Sequence, residues 1–398
     1  MPACPGRRSP VAEFTFTTEQ QELRNAVRKF AADNFDEATV RRLMESDPTF
    51  DPKVWARLGA ELGVLGLAVP ESAGGVGGTL VDQAVAVEEL GAALACGPLF
   101  GTVYLAIPAL VAASAGAARD ELLPELIEGR KTAAFAVGDH GGAFAAAQVP
   151  LTAVATGDGV AITGTADRVV DAGAADVLLV AATGPDGVGL YAVEAAGPGV
   201  QRTNLVTLDL TRPQATVEFH EAPAQLVSAA DEAERVINHA LQVGSVLLAV
   251  EQVGASQHLL DIAVDYAKTR LQFGRPIGSF QAVKHRLADL LVDVEHARST
   301  AYHAVWALTD GSDDPALAAS IAQAVGSEAF SRVARDTIQT LGGIGFTWEH
   351  QTHLYFKRAT TDAALLGSAE QHRSRVADMV LDTAAADRVP DVAVGVPG

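Results

Sequence analysis

Cysteine is almost missing from this chain. The 398 residues contain Cys4 and Cys96 alone, neither within a C-x-x-C pair, so a reducing cytosol is the natural setting. Positive charge is also scarce, with 29 Lys and Arg against 49 Asp and Glu and a formal net charge of −20. That balance argues against nucleic acid or an anionic membrane surface as the main partner. No uninterrupted apolar stretch reaches the roughly 20 residues that span a bilayer. The start, MPACPGRRSPVAE, has two arginines but no apolar run behind them, which argues against a secretory signal. The glycine-rich stretch LGLAVPESAGGVGG lacks the G-x-G-x-x-G spacing and follows no strand, so it is not read as a dinucleotide loop.

What is present is enough apolar residue, 48%, to bury a large core in two or three domains. Residues 14–130 read as helical. Thr17 and Gln20 form a capping box ahead of Leu23, Val27, Phe30 and Ala31 on one face. Asp51 and Pro52 supply an N-cap and an N1 proline ahead of Trp55, Leu58 and Leu62. Residues 131–227 change character to short Val-, Ala- and Thr-rich runs broken at GDG and TGPDG, a β-domain of barrel-like kind. Residues 228–385 return to helical periodicity. One long helix is expected over Asp231–Phe273, with three more over 280–309, 315–341 and 349–383, together a four-helix bundle. The expected fold class is α+β, in the order α, β, α.

Two segments of the last third carry specific information. YAKTRLQFGRPIGSFQAVKHRLAD, residues 266–289, and QTLGGIGFTWEHQTHLYFKRA, residues 339–359, resemble in order and spacing the two signatures of the acyl-CoA dehydrogenase family. TFTTEQQELR, LGLAVPESAGGVGG and LLPELIEGRKTAAFAV extend the resemblance over nearly the whole chain. The resemblance implies the acyl-CoA dehydrogenase fold and bound FAD. It also implies α,β-desaturation of an acyl-CoA thioester, fatty acyl or steroid side chain, with electrons passed to an electron-transfer flavoprotein.

Physically, an arginine near a helix end followed by an aromatic ring suits a pyrophosphate and a planar group, and paired glycines let backbone N–H groups approach a phosphate. The resemblance assigns Arg270, Phe273 and Gln281, and in the second motif Gln339, Gly342 and Gly343, to FAD held by a neighbouring subunit. A tetramer is implied. In the β-domain the family's segment for the flavin ring reads FAVGDHGGAF, residues 135–144, without the usual hydroxyl. The family's next pattern reads GTADRVVDAGAAD, residues 164–176, where Gly164, Ala175 and Asp176 match, while Arg168 and Val170 stand where an aromatic residue and a hydroxyl are usual.

The reaction needs a carboxylate at the substrate α-carbon. Aligned on LLGSAEQHR, the position of the family's usual Glu is Leu366, and the position used by a smaller group, on the long helix, is Gly244. The chain therefore resembles members, of actinobacterial type, that lack the usual catalytic Glu. Glu251, seven residues after Gly244 in the apolar run SVLLAVEQVGA, is the candidate substitute. It reads either as a base of raised pKa or as a packed carboxylate paired with an arginine of a neighbouring helix. Glu370 is a weaker candidate. Glu349, His350, His353 and His372 lack a further ligand set and are not read as a metal site. Asp139 and His140 form no recognisable nucleophile constellation. Three readings follow: a self-sufficient homotetrameric dehydrogenase with a displaced base, a base-lacking subunit of a heterotetramer with a paralogous chain, and a non-redox scaffold that retains the fold.

Overall fold

The computed structural model describes residues 15–137, 143–157, 159–311 and 313–386. Asp139 and His140, with the centre of the 135–144 segment, lie outside the described residues, as does Cys4. Among the described residues the order is helices, then strands, then helices.

The first helical run contains α1 (Thr18–Asn34), α2 (Glu37–Leu43), α3 (Pro52–Ala60), α4 (Leu80–Ala92), α5 (Ile107–Ala112) and α6 (Ala117–Ile127), with a π-helical segment, Leu99–Ala106, entering α5. Local chemistry sets these boundaries. The Thr17 hydroxyl accepts the Gln20 N–H while the Gln20 side chain accepts the Thr17 N–H, and Asp51 accepts the Lys53 N–H ahead of Pro52.

Seven strands follow: β1 (Ala133–Ala136), β2 (Thr152–Thr156), β3 (Gly159–Val170), β4 (Val177–Gly184), β5 (Gly187–Glu194), β6 (Val200–Asn204) and β7 (Gln214–Ser228). The pairings β4–β5, β5–β7, β7–β3, β3–β2 and β2–β4 close a barrel, with β1 added to β4 and β6 to β7. Ala134, Leu178, Val180, Val217 and Phe219 fill its interior.

The second helical run begins with α7 (Ala230–Thr269) and a hairpin of β8 (Leu271–Gln272) and β9 (Arg275–Pro276). It continues through α8 (Gln281–Asp310), α9 (Pro315–Leu341), α10 (Gly343–Phe346), α11 (Thr352–Asp362) and α12 (Ala369–Ala386). Two expectations are corrected here. The long helix stops at Thr269 and does not reach Phe273, because Phe273 and Gly274 take positive φ (53° and 77°) in the hairpin. The last helix is two helices, broken where Leu366 (φ 55°) and Gly367 (φ 96°) turn the chain.

The axis of the molecule is α7. It is long and apolar enough to cross a bilayer, yet 83% of its most apolar stretch is buried within the fold. It packs on α4, α8, α9 and the π-helical segment. At the α4 crossing the two backbones touch. A Cβ on Gly254 would lie 1.9 Å from the Glu88 carbonyl oxygen, and one on Gly91 would lie 2.5 Å from the Glu251 carbonyl oxygen. Contact this close fixes the rotation of α7 and therefore where Gly244 and Glu251 point. Relieving a backbone clash of this kind requires the helices to separate, so Gly254→Ala is expected to destabilise the protein by at least about 2–3 kcal/mol. Denaturant unfolding checks this, and an unchanged midpoint would contradict the close crossing.

Candidate active site

Three elements meet at the positions where the sequence places the family's carboxylates. Gly244 lies on α7, Leu105 on the π-helical segment, and Leu366 in the turn after α11. A Cβ on Gly244 would lie 2.5 Å from Leu105 Cδ2 and 3.3 Å from Leu366 Cδ1, and both leucines are buried. The two alternative base positions thus lie beside each other, and the Leu105 and Leu366 side chains occupy the space that a side chain at position 244 would need. His372 Nε2, 2.7 Å from the Leu366 carbonyl oxygen, ties this turn to α12.

Two turns along the same face of α7 sits Glu251, 2% exposed. Arg212 Nη2 donates to both of its carboxylate oxygens at 2.7 Å, Arg358 Nη1 donates to Oε1, and the Tyr104 hydroxyl donates to Oε2 at 2.8 Å. Arg212 also donates to Asp362 Oδ1 at 2.7 Å and lies over the Phe100 ring. Arg358 donates to Asp209 Oδ2 and to the Thr211 hydroxyl, both at 2.6 Å. Every charged member is at least nine-tenths buried.

Burial alone would push the Glu251 carboxyl upward, but the guanidinium groups of Arg212 and Arg358 outweigh it and hold the group down at about 2. Of the two readings open from the sequence, the geometry is that of the packed, paired carboxylate, with one arginine from a loop and one from α11. The candidacy of Glu251 as general base is corrected. Its lone pairs are occupied by three donors, and a carboxylate this acidic is a poor proton acceptor near neutrality. Glu370, the weaker candidate, is exposed at the start of α12.

The residues assigned to FAD lie on the surface of the second helical run. Arg270 follows the last residue of α7, Phe273 is 90% exposed at the hairpin tip, and Gln281 opens the 30-residue helix α8. Gln339 is exposed near the end of α9. Gly342 takes φ 67°, and a Cβ on Gly342 or Gly343 would meet nothing within 4 Å. The chain's own packing does not exclude a side chain at Gly343, so the space there is open to a ligand or a second subunit. Outward-facing glycines, a helix N-terminus and a cation suit a dinucleotide tail approached from outside this chain.

His350 precedes α11 and so does not share a helix face with His353. His353 stacks on Trp348, and His372 serves the Leu366 turn. Among the described residues no group of three or more His, Cys, Asp or Glu side chains is arranged to hold a metal. A cavity of about 730 Å³ lies between α1, α4, α7 and α11, lined by Arg28, Phe35, Glu89, His258, Asp261 and Tyr355 among others. It touches none of Gly244, Leu366 or the FAD-assigned residues, so it is not the desaturation site.

The geometry can be set against known proteins. Residues 17–130 match the profile described as acyl-CoA dehydrogenase, N-terminal domain, and residues 234–381 the profile of the C-terminal domain. The chain is 36% identical over 365 residues to acyl-CoA dehydrogenase IpdE2 of Mycobacterium tuberculosis, covering 92% of this chain and 98% of that one. Among solved structures it is similar to a steroid ACAD variant, Tcur3481-Tcur3483, with TM-score 0.82, 33% identity and coverage of 92% and 99%. It is also similar to the ChsE4-ChsE5 complex from Mycobacterium tuberculosis, with TM-score 0.81, 30% identity and coverage of 95% and 100%.

Removing Glu251 would leave two buried guanidinium groups without their shared partner. Glu251→Ala is therefore expected to cost about 3–5 kcal/mol, read by denaturant unfolding. Because the folded pKa is depressed, the carboxylate's contribution is fully present above pH 4.5 and is lost as pH falls toward 2. A near-neutral Glu251→Ala, or stability flat across that acid range, would contradict the hub assignment.

Proposed function

Because the chain belongs to the acyl-CoA dehydrogenase family, we propose that it is the base-lacking subunit of a heteromeric acyl-CoA dehydrogenase, in which a paralogous chain supplies the catalytic carboxylate. One observation carries this reading. Neither Leu366 nor Gly244, the two positions where the family places its base, carries a carboxylate, and Leu105 and Leu366 fill the space a side chain at position 244 would take, while Glu251 is locked by Arg212 and Arg358.

In desaturation, FAD accepts the hydride leaving the substrate β-carbon, so the protein's task is to hold the thioester and remove the α-proton. At its own base positions this chain offers a glycine and a leucine, and neither carries a proton acceptor. Its contribution is the binding surface of Arg270, Phe273, Gln281, Gln339, Gly342 and Gly343. There the Arg270 cation would suit the pyrophosphate of FAD, and the backbone N–H groups at 342–343 would suit a phosphate oxygen. The substrate class is a CoA thioester of a steroid side chain. Likeness to a structure named as a steroid ACAD and to a two-component complex supports both the substrate and the heteromeric assembly. A tetramer of two chains of each kind satisfies the shared sites, with electrons leaving to an electron-transfer flavoprotein.

Two measurements test this. Chromophore released from the denatured assembly is expected to be FAD; a colourless assembly that takes up no FAD would favour the scaffold reading. Assayed with steroid-side-chain and straight-chain thioesters, the lone chain is expected to turn over 10²- to 10⁴-fold more slowly than the co-expressed pair, roughly the usual contribution of a positioned base. Turnover by the lone chain, abolished by Glu251→Gln with FAD retained, would overturn the proposal.

A further inference from the structure

The cluster around Glu251 has an uneven composition. Two guanidinium groups, Arg212 and Arg358, face three carboxyl groups, Asp209, Glu251 and Asp362, inside a protein interior. Asp209 Oδ1 caps the Thr211 N–H and hydroxyl, and its Oδ2 takes Arg358. Glu251 has three donors on two oxygens. Asp362, 0% exposed, receives Arg212 on Oδ1, while its Oδ2 has no hydrogen-bond partner among the described residues. An ionised carboxylate with one bare oxygen in a fully buried site is costly, whereas a carboxylic acid there restores charge balance. The position of the extra proton is thereby singled out among the three acids.

The cluster also has a mechanical role. Asp209, Thr211 and Arg212 belong to the loop 205–213 between β6 and β7, and the other members belong to α7 (Glu251), α11 (Arg358, Asp362) and the π-helical segment (Tyr104). The loop is held inward by these groups and outward presents Val206, fully exposed, and Leu208, 53% exposed. Its remaining ties include Asp171 N–H to the Pro213 carbonyl and Leu205 N–H to the Gln214 carbonyl.

We propose that this buried cluster is a proton-linked clamp: one proton, resident on Asp362, holds the 205–213 loop against α7 and α11, and loss of that proton loosens the loop. The step is a simple ionisation, with the proton leaving to solvent and the carboxylate remaining beside Arg212. The resulting charge is one negative too many for the two arginines, and the loop carrying Asp209 and Arg212 is the one member not built into a helix.

The titratable groups facing Asp362 are accounted for from each element. Burial raises Asp362 itself to about 7, only partly offset by Arg212. Asp171, buried beside the Gly101 N–H, is raised by burial to about 6 and so ionises earlier. Glu251 ionises far lower. Burial pushes Tyr104 well above its ordinary value and Cys96 up to about 12, beyond the window. A raised folded pKa means stability is fully present below the unfolded value near 3.8 and is lost as pH rises through about 7. The clamp therefore weakens progressively as pH rises from about 4 and is fully loosened above about 7.

Hydrogen exchange on the full chain in its native assembly tests the clamp. After correction for intrinsic rates, protection of the Thr211 and Arg212 amides in wild type is expected to fall by up to roughly tenfold per pH unit as pH rises from about 4 toward about 7, and to level off above it. In Asp362→Asn, which keeps an acceptor for Arg212 but cannot ionise, protection is expected to stay flat over that range. Wild-type protection independent of pH, or the same decline in Asp362→Asn, would overturn the proposal. Should the variant fail to fold, infrared difference spectra of wild type decide. A buried carboxylic-acid band that survives the ionisation of Asp171 and disappears on the alkaline side of neutrality is expected, and its absence at neutral pH would refute the clamp.

Discussion

The triple engagement of Glu251 by Arg212, Arg358 and Tyr104 is the contact on which the rest of this molecule depends. It joins α7, the centre of the second helical run, to the β6–β7 loop, to α11 and to the π-helical segment of the first run. Desolvating so many charges is expensive, and such a network does not make a protein more stable than well-packed apolar residues would. What it supplies is registry. Each guanidinium has only one arrangement that satisfies its carboxylates, so the loop, α7 and α11 are fixed relative to one another. The glycine crossing of α4 and α7 sets the rotation of α7 that makes this possible.

That registry also decides the chemistry. With α7 in this rotation, Gly244 meets Leu105 and Leu366. A carboxylate at either family position would enter an apolar contact with no cation beside it. Glu251, two turns along the same face of α7, is spent on two arginines. The apolar character of this spot is therefore a property of the surrounding packing as well as of the residues at 244 and 366. The surface that meets a dinucleotide tail is built separately, on the α7–α8 hairpin and the α9–α10 turn, and does not depend on the base.

Much of this was legible in the residues because it is local. The Thr17–Gln20 box and the Asp51–Pro52 start act over a few positions, and the order of helical and alternating segments follows from periodicity. The α+β class followed from that order, and the family resemblance from two contiguous motifs. The breaks were harder to read. A helical pattern runs without interruption through HLYFKRATTDAALLGSAEQHR, and nothing in a leucine announces the left-handed turn at Leu366. Phe273 hid the hairpin for the same reason. The role of Glu251 depended on Arg212, 39 positions away, and Arg358, 107 positions away, which no local pattern links. The arginine pairing was one of two open readings, and only tertiary packing selected it.

Exchange at the substrate α-carbon isolates the central claim, since it requires a positioned base and no completed oxidation. The lone FAD-loaded chain, incubated with an acyl-CoA thioester in deuterated water, is predicted to introduce no deuterium at the α-carbon above the rate without enzyme, whereas the chain assembled with its base-carrying partner is predicted to do so. Enzyme-dependent α-deuteration by the lone chain would show that it holds a working base of its own, and would contradict the account.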